Sequence, residues 1–338
     1  MELADLHVHP DLPWIGSAWR RRVQGFRPAC LESGERSPPV PAGPPRLYGA
    51  VFYQTYLLRP AAARRRLFLS LGVFCRRYIA PGGNRLILSA SDLDRDRRPG
   101  SGGTDGFFLA VESMRCLRDP GDVRRLWECG IRSLQPIHFL DTPWGGSSRE
   151  GMLAESRTGL TGMGREMLGE MARLGMILDL AHMSRKNAEE CLAAYPGPVM
   201  CSHTGFQGLK ATARNLDADL AREIFRRRGV VGVTCWRHLL GPDPAPGPKG
   251  DSLRAAWTRS YCATAAAFAA LAPDAHARVA VGSDRGAPIR APAWFYSPAH
   301  LGEMAACLSG LGWGPEPIRG FLSGNARDFL ARSLPGPA

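Results

Sequence analysis

Residues 175–204 read GMILDLAHMSRKNAEECLAAYPGPVMCSHT. Met176 to His182 is a short apolar run, Arg185 to Ala194 sets apolar residues at helical spacing, and Val199 to Thr204 is a second apolar run. A strand, a helix and a strand in so short a length belong to a parallel sheet, because parallel neighbours need a crossover. Each run also brings a histidine, His182 or His203, out of its apolar stretch at the carboxyl end.

The same pattern continues outward in both directions. Leu3 to His9, Tyr48 to Tyr53, Phe107 to Glu112, Ile131 to Phe139, Val230 to Trp236 and Val279 to Asp284 read as strands. Met163 to Leu174, Ala218 to Arg228, Ser252 to Leu271, Pro298 to Leu311 and Glu316 to Ser333 read as helices. This alternation predicts an α/β protein, a (β/α)8 TIM-type barrel with its site at the carboxyl ends of the strands. The loops Pro38 to Pro45, Pro99 to Gly106 and Gly241 to Gly250 are too rich in Pro and Gly for regular structure. None of them separates halves that could fold alone. One domain over 1–338 is expected, with insertions near 27–46, 95–106 and 239–251 and no internal repeat.

The 338 residues are 44% hydrophobic, 22% charged and 8% aromatic, which excludes a disordered or fibrous chain. Lys and Arg number 43 against 31 Asp and Glu, a formal charge of +12, and only Lys186, Lys210 and Lys249 are lysines. The arginines fall in short scattered runs, such as Arg64 to Arg66 and Arg226 to Arg228, without interleaved aromatics. They read as a solvated basic surface, and no nucleic-acid partner is expected. Nine cysteines without a C-x-x-C pair suggest reduced thiols, neither a zinc ribbon nor a disulfide scaffold. No apolar run approaches the ~20 residues that span a bilayer, and the chain opens with Glu2 and Asp5, not a basic segment. A cytoplasmic protein with no membrane partner is expected.

His7 and His9, one residue apart on the first strand, share a face and can clamp a metal. Glu112 ends FFLAVE and Asp284 ends VAVGSD, so carboxylates join His182 and His203 at strand ends. A buried histidine bonded to a carbonyl, or a carboxylate capping the next helix, accounts for any one of these alone. For all of them to lie at one end of the strands, those explanations must coincide repeatedly, whereas one shared metal site explains the set. Imidazole and carboxylate without thiolate suit zinc, with Mn, Fe or Ni compatible. Two ions ~3.5–4 Å apart, bridged by one carboxylate, would activate a bridging water as hydroxide.

The segments HVHPDLP (7–13), LAVES (109–113), LQPIHF (134–139), GMILDLAHMS, PVMCSH (198–203), ARNLDADL (213–220), VAVGSD (279–284) and GNARDFL (324–330) carry a resemblance. In order and separation they resemble the membrane (renal) dipeptidase family of zinc peptidases, within the amidohydrolase superfamily, over almost the entire chain. The resemblance implies a dipeptidase that binds two zinc ions and takes a small peptide or amide substrate; a homodimer is expected by the same analogy. It implies that Glu112 bridges the metals, with His7 and His9 on one and His182 and His203 on the other. His138 looks like the catalytic and substrate-binding histidine that polarises the scissile carbonyl. Asp284 looks like the catalytic proton shuttle, and Arg214 like the substrate-binding arginine that grips a carboxylate. A surface arginine preceding a helix is the plainer reading of Arg214.

Two positions depart from the family pattern. His9 stands where members usually have Asp, which leaves the metal pair one unit more positive; Asp11 is near enough in sequence to substitute. After Asp284 the usual second Asp is missing, since Arg285 and Gly286 come next. These departures keep open a deacylase, deaminase or lactonase reaction, and an inactive binding barrel is the remaining alternative. His238, His276 and His300 read as structural. Ser202 beside His203 has no G-x-S-x-G elbow to make it a nucleophile, and GSGG near Gly103 has no G-K-[ST].

Overall fold

The computed structural model describes residues 2–9, 46–53, 58–81, 83–95, 105–149, 154–241, 251–285, 294–295 and 297–336. Most of the three expected insertions, together with Asp11 and Gly286, lies outside the described residues.

Nine strands form one sheet: β1 (Ala4–Val8), β2 (Leu47–Tyr53), β3 (Arg85–Leu86), β4 (Gly106–Glu112), β5 (Ile131–Gln135), β6 (Ile177–Asp179), β7 (Val199–Thr204), β8 (Val230–Val233) and β9 (Val279–Val281). The order is β2-β1-β9-β8-β7-β6-β5-β4-β3, and an additional β2–β4 pairing closes the ring and leaves β3 outside it. Every ladder is parallel. The result is the expected (β/α)8 barrel, and each of the eight expected strands is one of its staves. Closure leaves the ring without an edge strand to protect.

Helices wrap the ring: α1 (Pro60–Phe74), α2 (Ala90–Arg95), α3 (Pro120–Glu128), α4 (Gly162–Leu174), α5 (Arg185–Ala194), α6 (Ala218–Arg226), α7 (Asp251–Ala269), α8 (Pro298–Gly310), α9 (Pro315–Arg319) and α10 (Asn325–Ser333). Local chemistry sets their starts. Thr161, Ser184, Asp217 and Ser297 each accept a backbone N–H of the first turn of α4, α5, α6 and α8. The C-cap of α4 is Gly175, left-handed at φ 69°.

Alternation along β1 shows how the barrel sorts its side chains. Ala4 and Leu6 pack with Ala326, Phe329 and Leu330 of α10. Asp5 and His7, on the opposite face, are buried in the interior.

Several strands are shorter than their apolar runs. Pro136 comes directly after β5 and cannot donate to a ladder, so His138 sits in a bend. His182 lies in the turn after β6 with φ 65°, a left-handed conformation that no strand accommodates. Gly106 opens β4 instead of closing a loop, at a point where a Cβ would lie 3.1 Å from Ile87. The single helix expected from Glu316 to Ser333 is interrupted at Gly320–Gly324 by a wider turn. There the Asn325 side chain leaves the helix and donates to the carbonyls of His276 (2.6 Å) and Val279 (2.7 Å), tying the wall to β9. The eight cysteines among the described residues are free thiols. No helix among those residues is long and apolar enough to cross a membrane.

Candidate active site and metal centre

Strand ends deliver the site. His7 comes from β1 and His9 from the residue after it, Glu112 from the last position of β4, His203 from β7, and His182 and Asp284 from just beyond β6 and β9. The backbone is strained at three of these ends: His182 (φ 65°), Asp284 (φ 60°) and Ser113 (φ 65°), the residue after Glu112, are all left-handed. Such a conformation costs a non-glycine residue on the order of 1–2 kcal/mol, and here it turns side chains into the mouth of the barrel.

The donor atoms converge. His182 Nε2 lies 2.8 Å from His203 Nε2, and His7 Nε2 lies 3.3 Å from His9 Nε2. The Glu112 carboxylate spans the two pairs, with one oxygen 3.4 Å from His182 and the other 3.5 Å from His9. Asp284 Oδ1 is 3.1 Å from His9 Nε2. Three sets of possible ligand atoms lie within 4.8 Å of one another: His7, His9 and Asp284; Glu112, His182 and His203; and His7, Asp179 and His203. Buried imidazole nitrogens and carboxylate oxygens converging this closely are the donor types a metal takes, so the set fits metal binding.

Electrostatics agree with that fit. Burial pushes His7, His182 and His203 well below the ordinary imidazole range, which keeps them neutral at neutral pH, the state in which imidazole ligates a metal. Burial likewise raises Glu112 to about 8, a rise reinforced by Asp284 and opposed by His9. His9 differs: burial depresses it, but its hydrogen bond to Asp284 and the charge of Glu112 outweigh burial and raise it. This imidazole leans on its carboxylate neighbours, Asp284 and Glu112.

Around this centre lie residues that sequence reasoning had not singled out. Gln135 donates its amide to Glu112 Oε1 (2.7 Å) and to the carbonyl of Ile137 (2.9 Å), fixing the Glu112 carboxylate. Asp5 accepts from the backbone of His7 (3.1 Å) and Ser283 (2.8 Å), and Asp179 from Ala181 (3.1 Å) and Ser202 (2.9 Å). Burial raises both carboxyls to about 6 against these hydrogen bonds. Asp5 was discoverable, since it precedes His7 by two residues and so shares its face.

The remaining expected residues take distinct places. His138 is partly exposed beside the centre, its ring 4.5 Å from that of His182. Arg214 is not a surface residue: only 4% exposed, it places Nη2 2.9 Å from His182 Nε2 and donates to the His203 carbonyl (3.1 Å). Asn215 holds the segment carrying it, accepting from Gly205 N and donating to the carbonyls of Lys210 and Leu239. Ser202 is fully buried and is no nucleophile exposed to a substrate. His300 is buried between helices with Thr258 (3.0 Å), His276 stacks edge-on with Trp313 (5.1 Å) and His238 with Trp236 (5.9 Å), so none joins the site.

A closed parallel barrel with imidazoles and carboxylates gathered at the carboxyl ends of its strands defines a metal-dependent hydrolase. Residues 49–326 match the family model for membrane dipeptidase, peptidase family M19, and the chain belongs to that family. A 138-residue stretch is 28% identical to an uncharacterized dipeptidase of Schizosaccharomyces pombe, covering 40% of this chain and 33% of that protein. The chain thus spans about a third of the length of that curated relative. Among solved structures, the fold is similar to the dipeptidase AC of family M19 (TM-score 0.74, 19% identity, 99% of each chain). It is equally similar to a metallopeptidase of Rhodobacter sphaeroides liganded with a phosphinate mimic of the dipeptide L-Ala-D-Ala (TM-score 0.74, 18% identity, 98% of this chain and 99% of that one).

Proposed function

We propose that the protein is a zinc-dependent dipeptidase that hydrolyses the amide bond of a dipeptide or dipeptide-like compound. The observation that carries this reading is the Glu112 carboxylate lying between two pairs of imidazoles, 3.4 Å from His182 and 3.5 Å from His9. His7 and His9 would hold one ion, His182 and His203 the other, with Glu112 shared. Bound there, the ions would supply Lewis-acid polarisation and an activated water at neutral pH.

The chain's own residues account for the rest of the chemistry. Asp284, 3.1 Å from His9 and facing both ligand pairs, is placed to take a proton from the attacking water and return it to the departing amine nitrogen. His138, at the edge of the centre and open to solvent, polarises the scissile carbonyl and stabilises the oxyanion. The guanidinium of Arg214 offers a fork of donors for a substrate carboxylate, which selects a substrate with a free C-terminus. Burial of the ligands keeps bulk water from competing with these contacts.

Turnover of a dipeptide panel by zinc-loaded protein tests the proposal, with N-acyl amino acids and lactones as competitors. Hydrolysis of dipeptides, lost on C-terminal amidation, is the expected result. Activity confined to acyl amino acids or lactones would overturn it and assign another amidohydrolase reaction, the outcome to which the missing second Asp after Asp284 would then point.

A further inference from the structure

The ligand histidines have second nitrogens, and two of these meet on one hydroxyl. Ser202 Oγ lies 2.9 Å from His7 Nδ1 and 2.9 Å from His203 Nδ1. The Asp179 carboxylate in turn accepts the Ser202 backbone N–H (2.9 Å). We propose that Ser202 is the positioning residue that couples the two metal sites, fixing one histidine of each through a single hydroxyl. The inference rests on the metal-centre reading above and extends it to residues that touch neither ion.

The hydrogen bookkeeping leaves one arrangement. A histidine that presents Nε2 to a metal carries its hydrogen on Nδ1. The Nδ1–H groups of His7 and His203 then both donate to Ser202 Oγ and occupy its two lone pairs. The hydroxyl hydrogen then points away from both imidazoles, while Asp179 holds the serine in place through its backbone N–H. The grouping of His7, Asp179 and His203 as three close donors is thereby explained by the serine at its centre, without a third ion.

The barrel is shaped to allow this reach. His7 is on β1 and Ser202 on β7, with β8 and β9 between them in the ring. A Cβ on Gly232 would lie 1.9 Å from the Ser202 carbonyl oxygen, and one on Gly282 1.8 Å from it. Only glycine lets β7 press in this far, and the β7–β8 register shifts between Cys201 and Thr204. The rings of His7 and His203 lie with their centres 3.8 Å apart, tilted by 46°.

Stepwise zinc affinity of the full-length protein, measured by chelator competition on wild type, Ser202→Ala and Ser202→Cys, tests the coupling. Cysteine keeps the volume and is a poor acceptor, so it separates hydrogen bonding from packing if the alanine variant fails to fold. Both variants are expected to weaken both binding steps by about tenfold to a hundredfold. In proton NMR of the zinc-loaded wild type, two hydrogen-bonded imidazole Nδ1–H signals should appear and both should move in the variants. Unchanged affinities, or weakening of one step only, would overturn the coupling while leaving the metal centre intact. A wild-type chain that binds fewer than two zinc ions would instead overturn the reading of the centre, and the coupling with it.

Discussion

Glu112 is the residue on which both halves of the centre depend, because its two oxygens face different histidine pairs. Glu112→Gln replaces an anionic bridge with a neutral amide. It is expected to lower kcat/KM by more than about a thousandfold and to reduce bound zinc, and full activity with full metal would remove the bridging role. The raised carboxyl also predicts a pH dependence. Without metal, the folded chain holds a proton on Glu112 up to about 8, whereas a ligand must be ionised. Apparent zinc affinity should therefore climb with pH and level off above about 8; a flat profile between about pH 6 and 8 would contradict this assignment. His9→Asp tests the other departure: one more negative charge in the ligand set should move the acid limb of the kcat/KM profile to higher pH. At this scale, every residue that the sequence nominates for the metals is in the cluster. Gln135, Asp179 and the tie from Ser202 to His7 were not legible, because they depend on contacts between side chains and backbone of different strands, which periodicity along one strand does not report.

At the scale of elements, Asp122 in the first turn of α3 gathers three arginines, Arg64 of α1, Arg118 and Arg125. Its side chain is fully buried, and although burial alone would raise it, the hydrogen bonds from Arg64 and Arg118 hold it below the ordinary carboxylate value. A depressed folded value means the stabilisation is present above the unfolded value of about 4 and is lost as pH falls through the folded one. Asp122→Asn should cost about 2 kcal/mol at pH 7 in urea unfolding, with the gap to wild type closing below about pH 4. A gap that stays constant into acid would assign the loss to packing. Gly282→Ala forces a Cβ into the Ser202 backbone and should destabilise by about 3 kcal/mol, an overpacking cost. Helix ends were legible where capping residues mark them, as at Ser184 and Asp217. The join between α9 and α10 was not, since a helical pattern does not reveal that Asn325 turns away to bond β9.

At the scale of the molecule, the alternation of apolar runs and helical spacing was enough to specify the barrel. Several runs ended in a residue able to do chemistry, among them His9, Glu112, His182 and Asp284, which fixed the end of the barrel that carries the site. Strand lengths were overestimated at β5, β6 and β9, where Pro136 or a left-handed residue bends the chain toward the centre. Those bends are the functional geometry, which is why the periodicity of the core could not report them. The central claim is that this barrel holds two zinc ions through His7, His9, Glu112, His182 and His203. Elemental analysis of protein purified without a metal-affinity tag and then supplied with zinc tests it most directly. Close to two equivalents per chain is the predicted result, and a chain that retains one or none would contradict the account.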